Sequence, residues 1–209
     1  MSSVTYIEHL PAVPKRRRIL NRLGYQEQMT VLDNEQARFL DQGIKQGLLL
    51  CQVQGVFGRF KISKRSPETV ELDSGLIFKS RQLARMLVSS DEMVLMASTA
   101  GKEVTNRISF EIAQGNPALG VIFDAVASQA ADAGLDSISK MLNTLLAKEG
   151  KRLLRRRFSP GYGDLSLCYQ RILFDLLKLE KLELNLTETF MIVPEKSVLA
   201  ITGIQGIKP

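Results

Sequence analysis

Histidine and cysteine are almost missing from this chain: His9 is the sole histidine, and Cys51 and Cys168 are the only cysteines. A histidine-based catalytic triad and a zinc site therefore lack their residues. Two thiols set far apart, with no paired spacing, give no disulfide framework. No apolar run approaches the roughly 18 residues that a membrane span needs. Met1 to Tyr6 also lacks the basic start and apolar core of a secretory signal, so the expectation is a cytoplasmic protein without a membrane span. Aromatic residues make up 6% of the chain and are not interleaved with its basic clusters. There is no RNP-like run and no helix-turn-helix spacing, so nucleic acid is not the expected partner. If it were, binding through the arginines would be strongly salt-dependent.

What is present is basic and apolar. The net charge of +6 is concentrated in Lys15-Arg16-Arg17-Arg18 and in Lys151-Arg152 with Arg155-Arg156-Arg157. The first cluster reads as a solvated face. The second also suits docking of an acidic partner protein, because charge complementarity raises encounter rate and fixes orientation. With 209 residues, 44% of them hydrophobic, the chain supports one core and one domain over 1–209. Pro11 and Pro14 make residues 1–14 an extended arm.

Local signals give a mixed α+β order. Arg16 to Leu23 forms a short helix stopped at Gly24, and Asp33 caps a helix to about Gln46 carrying Ala37, Leu40 and Ile44 on one side. Leu50 to Ile62 reads as a strand with Gly55 and Gly58 as bulges. A strand pair around Val70 to Phe78 follows, and Ser80 caps a helix to about Val88. Met93 to Ser98 is an apolar strand ending at Thr99-Ala100-Gly101, which reads as a packing turn rather than a phosphate cradle because no GxGxxG or Walker spacing accompanies it. A helix then runs through Ile112. Asn116-Pro117 opens another helix to about Lys148, which Gly134 is expected to break. Asp164 caps a helix with Leu165, Cys168, Ile172, Leu176 and Leu179 on its apolar stripe, making Cys168 a small core residue. Leu186 to Val193 and Ser197 to Ile204 are strands joined as a hairpin by Pro194-Glu195-Lys196, so pairing is antiparallel at least there.

The chemistry-bearing stretch is Arg157-Phe158-Ser159-Pro160-Gly161-Tyr162-Gly163-Asp164. Arg157 can hold a carboxylate through two parallel hydrogen bonds, and Pro160-Gly161 suits a type II turn. Taken alone, such a run is usually a surface arginine beside an ordinary turn. Asp132 and Asp136 lie one helical turn apart and share a face, where exposed helix acids are the ordinary occurrence.

The order Arg157-x-x-Pro160-Gly161-Tyr162, a helix, Leu186-Thr187-Glu188-Thr189-Phe190 and Pro194-x-x-Ser197-Val198 resembles the activation domain of cobalamin-dependent methionine synthase, and more closely its free-standing, shorter homologues. Leu76 to Ala84, Ala97 to Val104 and Phe123 to Ser128 fall in the same order, so the resemblance covers roughly residues 20 to 204. It implies a single domain with a curved, largely antiparallel sheet flanked by helices. It also implies binding of S-adenosylmethionine: Arg157 on the carboxylate, Asp132 in place of a glutamate on the ammonium group, and the Ser159 backbone on the methionine or adenosyl portion. Gly161 would admit a close backbone approach, Tyr162 would shape the pocket, and Glu188 matches a motif glutamate whose role is equally structural at a strand end.

The implied function is reactivation, by reductive methylation, of cobalamin carried on a separate methionine synthase or related corrinoid methyltransferase. A flavodoxin-like donor would supply the electron. This chain would then be an accessory domain in methionine biosynthesis rather than a self-contained enzyme. It departs from the full-length pattern after Tyr162, where Gly163-Asp164-Leu165-Ser166 replaces Pro-Ala-Cys-Pro and Cys168 stands where a histidine falls. The sequence also ends before a late ligand-touching tyrosine, which implies weaker binding. These departures keep open a noncatalytic module that recognises a corrinoid protein or senses S-adenosylmethionine.

Overall fold

A computed structural model of the chain describes residues 4–26 and 28–207. In chain order the elements are β1 (Val4–Ile7), α1 (Arg16–Arg22), α2 (Asn34–Leu50), β2 (Gln54–Arg65), β3 (Thr69–Leu72), β4 (Ile77–Lys79), α3 (Arg81–Met86), β5 (Glu92–Thr99), α4 (Lys102–Ala113), α5 (Pro117–Ala147), β6 (Lys151–Leu153), α6 (Tyr169–Leu177), β7 (Asn185–Leu186), β8 (Ile192–Val193) and β9 (Ser197–Gly206), with a single 3-10 turn at Leu179–Leu182. The main sheet runs β4-β3-β2-β5-β9-β6, β1 pairs β2, and β7 with β8 forms a separate ribbon. Every named pairing is antiparallel. This is the α+β architecture expected from the sequence, a curled antiparallel sheet with helices on both faces.

β5 sits at the centre because its residues are apolar on both faces. Met93, Leu95 and Ala97 pack with α3, α6 and the 3-10 turn, whereas Val94 and Met96 pack beneath α5. All five are fully buried, and burying each of the four larger side chains contributes about 1.5–3 kcal/mol. β2 and β9 repeat the alternation: Val56, Phe60, Leu199 and Ile201 face one way, Phe57, Ala200 and Ile204 the other.

Several local expectations are corrected. β1 pairs with β2 in register from Val4↔Gly58 to Ile7↔Gly55, so part of the expected arm is a sheet strand; residues 1–3 lie outside the described residues. Gly55 and Gly58 are not bulges, since both pair in unbroken register with β5, and the irregularity falls between Ile62 and Lys64. What Gly55 provides is room: a Cβ there would lie 2.6 Å from Leu10 Cδ1 and 2.8 Å from Ile138 Cδ1. α2 extends to Leu50, with Asp33 as the expected cap in a full capping box with Gln36.

α5 runs unbroken for 31 residues. Gly134 does not interrupt it, because the residue lies where the helix meets β5: a Cβ would stand 2.0 Å from Ser98 Oγ. Asn116 precedes Pro117 but does not cap with its side chain; its Nδ2 donates to Glu111 Oε2 at 3.1 Å. α5 is also long and apolar enough to cross a membrane, which the run-length reading missed. Its apolar residues Phe123, Val126, Leu135, Ile138, Leu142 and Leu146 are buried inside the fold.

Asp164 caps a different helix from the one expected. Its carboxylate accepts from Ser80 Oγ at 2.5 Å and from Arg81 N at 2.7 Å, joining the loop before α6 to the start of α3. The Ser80 hydroxyl and these backbone N–H groups hold the Asp164 carboxyl below its ordinary value. α6 consequently starts at Tyr169, and Cys168 just before it is exposed rather than part of the core. The stripe that α6 buries is Leu173 and Leu177. Finally, β8 pairs with β7, not β9, so 194–196 link the ribbon to the sheet without forming a hairpin.

Candidate functional site

The loop after β6 is laid along β9 by its backbone. Leu154 N donates to Gly203 O at 2.8 Å; farther along, Phe158 N donates to Ile201 O at 2.8 Å and Ile201 N to Phe158 O at 2.7 Å. Ser159 Oγ then donates to Leu199 O at 2.7 Å. The chain next reverses in the expected turn: Tyr162 N donates to Ser159 O at 3.2 Å around Pro160 and Gly161, whose φ is +90°. Positive φ at that position requires glycine in a type II turn. A Cβ at Gly161 would also lie 2.9 Å from Leu167 Cδ1.

This turn, the middle of α5, α6 and the start of β9 enclose a cleft of about 510 Å³, within the range of small-molecule sites. Asp132 and Leu135 line it from α5, Arg157 to Pro160 and Tyr162 from the loop, Gln170 from α6, and Ser197 to Ala200 from β9. Of the six residues singled out from sequence, Asp132, Arg157, Ser159 and Tyr162 thus share one wall system. Gly161 supports the turn behind them. Glu188 is exposed on the β7–β8 turn and is not part of this lining.

The electrostatics centre on two carboxylates and two arginines. Arg157 Nη2 lies 2.9 Å from Asp136 Oδ1, and Arg18 Nη1 from α1 lies 3.1 Å from Asp136 Oδ2. Asp136 therefore bridges the two guanidinium groups, and part of the first basic cluster is ion-paired rather than merely solvated; Arg16 likewise pairs with Asp41. Asp132 is half-buried and, among the described residues, forms no ion pair. Burial raises its pKa above the ordinary value, opposed by the nearby Arg157 charge and reinforced by Asp136. A half-buried carboxylate with a raised pKa in a cleft gains most from a cation placed beside it.

Sequence reasoning missed Gln170, whose buried Oε1 has no hydrogen-bond partner among the described residues. An acceptor left unsatisfied at a cleft wall is available to a ligand N–H or O–H. The signal was legible: Gln170 stands at i, with Leu173 and Leu177 at i+3 and i+7, as the polar member of a buried helical stripe. Arg18 and Asp136 were visible as charges, but their pairing depends on α1 crossing α5.

The sheet, its helices and this lateral cleft define a class of fold. A solved structure described as the MetH reactivation domain bound to AdoHcy shares that fold with a TM-score of 0.73, covering 99% of this chain and 80% of that one at 15% identity. No family model matches the chain, and no curated protein matches it.

Proposed function

We propose that this chain is an S-adenosylmethionine-binding reactivation domain that serves a cobalamin-dependent methionine synthase or related corrinoid methyltransferase on a separate polypeptide. The observation that carries the reading is the cleft in which Asp132 and Arg157 stand as separate negative and positive anchors. It lies on a fold shared with a domain described as bound to AdoHcy. A methionine moiety presents a carboxylate and an ammonium group at one carbon, and opposite anchors in one cleft match that pair. Arg157 takes the carboxylate by exchanging its Asp136 partner for the ligand's. Asp132 takes the ammonium, directly or through a water because its side chain is short. Gln170 Oε1 accepts from a ligand donor, and Ser159 and Tyr162 close the turn side.

Bound in this way, the methyl donor is oriented toward a corrinoid presented by the partner. The corrinoid, once reduced by one electron on the partner, would supply the nucleophile that takes the methyl group from sulfur and releases S-adenosylhomocysteine, while Arg157 and Asp132 would hold the donor in place. The chain's own contribution is positioning; the electron comes from a flavodoxin-like donor. The test is a reconstitution with cob(II)alamin-loaded methionine synthase lacking its own activation domain, a reductant and S-adenosylmethionine. Methylcobalamin formation that depends on this chain supports the proposal. Formation at the same rate without it refutes the reactivation role.

A second reading, a binding module without methyl transfer, is favoured by one observation. The segment after Tyr162 uses Asp164 to cap α3 and leaves Cys168 exposed. In the same assay this reading gives complex formation with the corrinoid protein and no methylation.

A further inference from the structure

Beside the Asp132–Arg157 cleft lies a second, larger one of about 830 Å³, lined by Gln82, Arg85 and Met86 of α3 and by Leu154 to Phe158 of the loop. Four of its eight lining residues are arginines, and none is acidic. Arg157 is already paired with Asp136. Among the described residues, Arg85, Arg155 and Arg156 form no salt bridge, although most other arginines near acids do. Two acids beside α3 are engaged elsewhere: Asp164 caps α3, and Glu68 pairs with Arg81.

The backbone that carries Arg155 and Arg156 is fixed by hydrogen bonds to β9 on either side of them, at Leu154 and Phe158, and by Thr202 Oγ1, which donates to Arg156 O at 3.0 Å; Arg85 stands on α3. Arg85, Arg155 and Arg156 are exposed along the cleft, so three like charges line it with no acidic partner among the described residues. Guanidinium groups match phosphate oxygens in a planar, bidentate geometry. Met86, Leu154 and Phe158 add an apolar floor for a ligand body, and the volume is that of a nucleotide site.

We propose that this cleft is a second ligand site, for a phosphate ester of nucleotide size carrying two or more phosphate charges, held by Arg85, Arg155 and Arg156. The concave shape and the apolar floor favour a small polyanion over the flat contact of an acidic protein. Arg157 and Phe158 line both clefts, so occupancy of this one bears on the wall of the other. The assignment does not depend on S-adenosylmethionine binding next door, and either can fail alone.

The experiment is calorimetric titration of ADP, inorganic tripolyphosphate and adenosine into the full chain. Arg155→Ala/Arg156→Ala, Arg85→Ala and, as a charge control outside the cleft, Arg152→Ala are titrated in parallel, with thermal unfolding confirming that each variant is folded. ADP and tripolyphosphate are expected to bind, and adenosine at least tenfold more weakly. ADP and tripolyphosphate binding together mark phosphate recognition; ADP alone marks a nucleotide-specific site, which also supports the assignment. Affinity is expected to fall about tenfold or more for each guanidinium removed from the cleft, and to be unchanged in Arg152→Ala. Three results overturn the proposal: no binding of either phosphate compound to the folded chain, an equal loss in Arg152→Ala, or adenosine binding as tightly as ADP.

Discussion

Replacing Gly134 by alanine tests how α5 is seated on the sheet, and through that the placement of Asp132 and Asp136, two residues to either side. The added Cβ would meet Ser98 Oγ at 2.0 Å, Ser98 Cβ at 2.9 Å and Val53 Cγ1 at 3.0 Å. Ser98 cannot simply rotate away, since it is fully buried and its Oγ donates to Gln54 O at 3.1 Å. Overpacking of this kind costs about 1–3 kcal/mol, and loss of the serine hydrogen bond adds about 1 kcal/mol. The gain in helix propensity from Gly to Ala offsets roughly 1 kcal/mol. The expected net is a destabilisation of about 1–3 kcal/mol, a fall of roughly 2–12 °C in Tm for a chain of this size. Urea denaturation followed by circular dichroism measures it. Ser98→Gly in the Gly134→Ala background removes the two Ser98 contacts and should recover part of the loss. A Gly134→Ala chain as stable as the parent would refute the close seating of α5 on β5.

Three further outcomes follow from the structure. Cys168 is exposed, whereas Cys51 is partly buried, donates its S–H to Gly47 O and has its pKa pushed up to about 12 by burial; a thiol reagent should therefore label one site quickly and the second only on unfolding, as read by mass spectrometry. Glu92 accepts from Arg59 and Lys151, which lower its pKa to about 2. Its stabilisation is thus complete above the ordinary value of 4.5 and lost as pH falls toward 2, and Glu92→Gln should lose about 1–2 kcal/mol at pH 7 after solvent screening, with a shallower acid-denaturation profile. The Asp132 carboxyl, raised by burial, favours the folded state when protonated and ceases to do so as pH rises through its folded pKa. Binding of the ligand ammonium needs the ionised form, so affinity should weaken as pH falls through that raised value, and Asp132→Asn should flatten the dependence, measured by titration across pH.

The sequence carried the element order because its signals were local. Asp33 and Ser80 sit at helix starts and accept the expected backbone N–H bonds, and the apolar run from Met93 to Ser98 reads as the buried central strand that it is. The errors arose where a partner distant in sequence decides. Gly134 is excused from breaking α5 by the approach of Ser98, and Asp164 serves α3 across a separation of more than eighty residues. At the site, Arg157 with the Pro160-Gly161 turn was legible from residue chemistry, and Asp132 from the resemblance. The Asp136 bridge was not, because it depends on how helices cross, whereas Gln170 could have been found from its place on the Leu173–Leu177 stripe and was passed over.

The central claim rests on Arg157 as the carboxylate anchor of an S-adenosylmethionine site. Calorimetric titration of S-adenosylmethionine into the parent chain and into Arg157→Ala tests it most directly. The account predicts binding to the parent and a loss of roughly 1.5–3 kcal/mol, about ten- to hundredfold in Kd, in the variant. Equal affinity of a folded Arg157→Ala chain, or no binding to the folded parent, would contradict it.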